Sequence, residues 1–157
     1  MTTALEPQEL RFAPALPATC RRQLERLVFR HPRQGRMRQS ILDNVHAFGA
    51  PHIVQSGAEV CIAIDKNPGA QNLFAVIEKA GAVQLLDFVL YVRNKEWVDI
   101  LFIAVRHAFT EEGRLGRWGV TYQIMDQLKR IGGHVKGVAG VRLKYRAGPP
   151  LVLKLAP

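Results

Sequence analysis

Residues 96–128 read EWVDILFIAVRHAFTEEGRLGRWGVTYQIMDQL, and the reading of the fold turns on them. Residues 97–105 are an almost unbroken apolar run, the pattern of a central strand covered on both faces. A loop with Gly113, Gly116 and Gly119 follows. Then comes an amphipathic helix carrying Tyr122, Ile124, Met125, Leu128 and Ile131, which Gly132 and Gly133 end. A strand that passes into a glycine-rich turn at a helix start can build an anion site. The first-turn amides there lack partners, and the helix dipole favours negative charge.

Working outward, residues 83–92 form a second apolar, aromatic-rich run, joined to 97–105 by Arg93-Asn94-Lys95-Glu96 as an antiparallel hairpin. Before it, residues 73–78 (LFAVIE) read as a strand, with a short helix over 71–80 as the alternative, and Lys79-Ala80-Gly81 turns the chain. Residues 59–65 (EVCIAID) are β-like and precede the turn signal Lys66-Asn67-Pro68-Gly69. Two helices are expected upstream. One covers 20–30, capped by Thr19, with Leu24, Leu27 and Val28 as its apolar stripe and His31-Pro32 as its stop. The other covers 37–48, with Met37, Ile41, Leu42, Val45 and Phe48 at helical spacing and Gly49 at its end. Residues 9–13 suit a short first strand, and 1–8 a loose tail.

Downstream, residues 135–145 read as a strand weakened by Gly137 and Gly140. Pro149-Pro150 breaks the chain, and 151–155 add a last, apolar edge strand that a homodimer could use. The order is β-α-α-β-β-β-β-α-β-β. It predicts a single α+β domain over 9–157, with a central mixed, mainly antiparallel sheet flanked by helices.

At 157 residues and 48% hydrophobic, the chain can bury one real core. No window is apolar enough to cross a bilayer, and the first residues lack the basic-then-apolar pattern of a secretory signal, so a cytoplasmic protein without membrane partners is expected. Cys20 and Cys61 fit neither a disulfide framework nor a zinc site, and the histidines have no metal spacing. The formal charge is +9. Arg21, Arg22, Arg26, Arg30, Arg33, Arg36 and Arg38 are opposed only by Glu25. Arg114, Arg117, Lys129, Arg130, Lys136, Arg142, Lys144, Arg146 and Lys154 face Asp126 alone. Such clusters suit nucleic acid, an acidic protein partner or a phosphorylated cofactor, or else form a solvated basic surface.

The element order resembles the acyl-CoA N-acyltransferase (GNAT) superfamily. Residues 73–93 look like that family's central hairpin, 97–105 like the strand whose splayed end receives the pantetheine arm, and 116–128 like the pyrophosphate loop and its helix. The family pattern is Arg or Gln, two residues, Gly, one residue, then Gly or Ala. It can be laid on this chain from Arg114 or from Gly116. The second alignment puts Gly119 in the middle and Thr121 last, with Ile124, Met125 and Leu128 on the buried helix face. The resemblance implies a fold that binds acetyl-CoA or another acyl-CoA and transfers the acyl group to an amine on a small molecule or a protein. It implies cofactor contacts from Ile103, Ala104, Val105, Arg114, Gly116, Arg117, Trp118, Gly119, Val120 and Thr121.

Acyl transfer to an amine needs a base for the attacking nitrogen and an acid for the leaving thiolate. Asp99, a carboxylate inside an apolar strand, is the candidate base, with an exposed position near a sheet edge as the plainer reading. Tyr145, at the end of the penultimate strand, is the candidate acid, with a packed or surface tyrosine as its alternative. The other function considered is a non-enzymatic basic module that docks on nucleic acid or an acidic partner through residues 21–38.

Overall fold

A computed structural model of the chain describes residues 10–29, 49–105, 120–143 and 151–155. The tail at 1–8 and the expected helix over 37–48 lie outside the described residues. The architecture is α+β. Strands β1 (Arg11–Ala13) and β2 (Leu16–Pro17) lead through a 3-10 turn (Ala18–Cys20) into helix α1 (Arg21–Phe29). Strands β3 (Pro51–Ser56), β4 (Glu59–Ile64), β5 (Gln71–Lys79), β6 (Ala82–Asn94) and β7 (Trp97–Val105) follow. Helix α2 (Val120–Gly133) then precedes β8 (Gly140–Leu143) and β9 (Leu151–Lys154).

The main sheet has the order β1-β5-β6-β7-β8-β9. Every neighbouring pair is antiparallel except β7 and β8, which run parallel with α2 as the crossover between them. The hairpin turns form where the sequence places them. Ala80 and Gly81, at φ 53° and 76°, make the two-residue turn between β5 and β6, and Lys95 at φ 56° begins the turn into β7. Residues 73–78 belong to a strand, not to the alternative helix. β7 is internal, as its apolar run requires, and among the described strands β1 and β9 are the outer ones.

Two apolar layers cover the sheet. On one face Phe74, Val76, Phe88, Leu90, Leu101 and Ala104 pack with Leu24, Leu27 and Val28 of α1 and with Val60, Ile62 and Ile64 of β4. On the other, Leu73, Ala75, Leu86, Val89, Val98 and Ile100 pack with Val120, Ile124 and Leu128 of α2. Two bulges adjust this alternation. Register shifts leave Leu86 as the extra residue in β6 and Leu101 in β7.

Several expectations need correction. Among the described residues the strands form two sheets: β2, β4 and β3 make a separate three-stranded one, in which β4 buries every second residue and presents a single apolar face. Asn72 ties the two together. Its side-chain amide accepts the Ile62 N–H and donates to the Ile62 carbonyl, both at 2.9 Å, taking a strand's place ahead of Leu16, where β2 begins. Thr19 lies inside the 3-10 turn rather than at a cap, since the chain enters the helix from Pro17 and the Ala18 N–H bonds to the Ala58 carbonyl. Tyr122 is 77% exposed. The buried row is Val120, Ile124 and Leu128, and a residue two positions on from Val120 sits roughly 200° around the helix. The chain turns as far as Gly137, at φ 86°, and β8 starts only at Gly140.

Candidate functional site

The parallel pairing of β7 with β8 runs from Trp97 opposite Gly140 to Ile100 opposite Leu143. On its other side β7 pairs with β6 as far as Val105 opposite Asp87. Helix α2 returns over the same part of the sheet. Near its C-terminus, a side chain added at Gly132 would lie 3.8 Å from Val98. From Gly132 back to Val120 the helix rises ~18 Å. From Arg93, the register partner of Val98, to Asp87 is ~20 Å of strand. The first turn of α2 is therefore about level with Asp87 and the carboxyl end of β7.

Of the expected cofactor residues, Ile103 is half-buried on the α2 side and Ala104 is buried on the α1 side. Val105 closes β7, Val120 opens α2 as a core residue, and Thr121 follows in its first turn. Arg114, Gly116, Arg117, Trp118, Gly119 and Tyr145 lie outside the described residues.

Asp99 is neither exposed nor isolated. Parallel register puts it opposite Arg142, whose Nε donates to Oδ1 at 2.7 Å and Nη2 to Oδ2 at 3.0 Å. Asn94 adds a bond from Nδ2 to Oδ2 at 3.0 Å. The guanidinium also lies 5.1 Å from the centroid of the Trp97 ring. The hydrogen bond to Asp99 raises the Arg142 pKa above its ordinary value, partly opposed by burial. Asp99 shares its face with Val92, its partner on β6, which packs on the α1 side. This fork ties β8 to β7.

A second buried carboxyl was not singled out from the sequence. Asp87 is fully buried, opposite Ala75 on β5 and Val105 on β7. Its partner Ala75 and the regular alternation up to Val89 and Tyr91 turn it to the α2 side, the face opposite Asp99. Oδ1 accepts the Phe88 N–H at 2.7 Å, and Oδ2 has no partner among the described residues. Leaving such an oxygen unpaired costs about 1–3 kcal/mol. Desolvation pushes the Asp87 pKa well above the ordinary carboxylate range, and the Phe88 N–H offsets only part of this. The signal was available: Asp87 interrupts LLDFVL just as Asp99 interrupts WVDILF.

On α1, Arg22 and Arg26 are exposed, while Arg21 bonds to Glu25 at 3.2 Å and to Gln55. Among the described residues no group of His, Cys, Asp and Glu could hold a metal ion, and no helix is long and apolar enough to cross a membrane. Comparison with protein-family models, curated proteins and solved structures found no match.

Proposed function

We propose that the chain is an N-acyltransferase-like domain that binds acetyl-CoA or another acyl-CoA along residues 101–105 of β7, beside the start of α2. The observation that carries this reading is the local geometry. Strand β7 passes through α2 into the parallel β8, and the helix begins about level with the carboxyl end of β7. At a strand–helix–strand crossover the helix begins near the carboxyl end of the first strand, and unpaired first-turn amides favour an anionic group such as pyrophosphate. The bulge at Leu101 shifts the register of β7 against β6 just after the Ile100–Leu143 pair.

In the reaction an amine nitrogen attacks the thioester carbonyl. The C–N bond forms, the C–S bond breaks, the amine proton leaves to a base and the thiolate takes up a proton. Asp99 can be tested as the base or as the anchor of β8. An anchor loses stability in Asp99→Asn; a base loses turnover at unchanged acyl-CoA affinity. Isothermal titration with acetyl-CoA and CoA tests the cofactor claim: saturable heat is expected, and no heat at millimolar ligand with the fold intact removes it. Gly119→Glu should weaken binding by blocking the amide cradle.

The exposed Arg22 and Arg26 favour a second reading, docking on nucleic acid or an acidic protein. Duplex binding would weaken with salt by a log–log slope of about 0.9 per phosphate neutralised, and Arg22→Ala/Arg26→Ala would lower that slope. Absent binding at low salt removes it.

A further inference from the structure

Asp87 is only half used by the fold. The proton of its neutral form belongs on Oδ2, because Oδ1 already accepts the Phe88 N–H and Oδ2 has no partner among the described residues. Packing alone does not explain an acid here. Leu85, Leu86, Phe88 and Val89 around it are buried and apolar, and an apolar side chain would leave no oxygen unpaired. Its carboxyl faces the α2 side, with the small Ala75 opposite, level with the first turn of α2 and next to the last residue of β7.

We propose that Asp87 is a ligand-binding residue whose Oδ2 donates a hydrogen bond to a carbonyl oxygen of the acyl-pantetheine arm as it passes the end of β7. The inference rests on the acyl-CoA reading above. A neutral acid in apolar surroundings matches a neutral carbonyl, whether amide or thioester. A phosphate is served instead by helix amides and cations.

The test is calorimetric titration of acetyl-CoA, CoA and adenosine 3′,5′-bisphosphate into wild type, Asp87→Asn and Asp87→Ala. The asparagine keeps a donor near Oδ2 and should retain most of the affinity. Asp87→Ala should weaken acetyl-CoA about tenfold or more and leave the bisphosphate unchanged. If CoA weakens equally, the contact is to a pantetheine amide; if only acetyl-CoA weakens, it is to the thioester. Unchanged acetyl-CoA affinity in Asp87→Ala overturns the inference while leaving the acyl-CoA reading standing. So does equal loss of all three ligands, which marks general damage to the site. Wild type that binds none of them removes both. Infrared difference spectra of wild type against Asp87→Asn need no alanine variant: the protonated carboxyl band of Asp87 should shift when acetyl-CoA is added, and an unmoved band also overturns the proposal.

Discussion

Replacing Arg142 with methionine strands a buried charge. Asp99 is 2% exposed and loses two hydrogen bonds, of 2.7 and 3.0 Å, leaving the Asn94 amide as one of its remaining contacts. Removing one partner of a buried pair costs about 3–5 kcal/mol. The Arg142 side chain itself keeps 23% of its exposure, so water reaches part of the site and the lower end, about 3 kcal/mol, applies. The lost stacking on Trp97 is inside that figure. For a chain of this size each kcal/mol moves Tm by about 2–4 °C, so Arg142→Met should melt about 6–12 °C lower. Asp99→Leu with Arg142→Met removes the stranded charge as well and should be more stable than Arg142→Met alone, with a coupling of about 2 kcal/mol or more. Denaturant unfolding of wild type, both single variants and the double variant completes the cycle. Arg142→Met within about 0.5 kcal/mol of wild type, or additive single variants, would refute the clamp.

Asn72→Leu should destabilise by about 2–4 kcal/mol, because the N–H and carbonyl of Ile62 both lose their partner, and hydrogen exchange at the Ile62 amide should accelerate. Asp87→Asn should gain stability relative to wild type as pH rises. The folded pKa of Asp87 lies above the ordinary 3.8, so the folded state holds the proton more tightly. Wild type then loses stability from about the unfolded value up to the raised folded one, and pH-dependent melting curves that stay parallel would contradict this. Gly49→Ala should cost roughly 2 kcal/mol or more, since φ is +94° and a Cβ would lie 2.9 Å from the Lys66 amide nitrogen. Gly57→Ala, at φ +59° with nothing within 4 Å, should cost less in the same unfolding assay.

Local chemistry made much of the fold legible. Ala80-Gly81 and the Lys95 turn set the β5–β6–β7 meander, and the continuous apolar run of β7 placed it inside the sheet. The less legible parts depend on distant partners. β3 is mostly exposed and shows little alternation, so its strand character comes from pairing with β4. The two carboxylates look alike in sequence, each alone in an apolar strand. Register across the sheet separates them: Asp99 meets Arg142, distant in sequence, while Asp87 meets Ala75. The candidate site is thus half legible. Its strand and helix were read correctly, but which acid is satisfied and which is not could come only from pairing.

Gln23 on α1 bonds to the backbone of β6, with Nε2 donating to the Val83 carbonyl at 3.0 Å and Oε1 accepting the Leu85 N–H at 2.9 Å. These groups belong to the start of β6, ahead of Asp87, where its pairing with β7 ends. The helix therefore cannot complete its docking until a strand made some sixty residues later is in place. On a ribosome, α1 would wait for β6 to emerge, and the amino-terminal helix would be among the last elements to lock. Gln23→Leu should accordingly speed unfolding while leaving the folding rate almost unchanged.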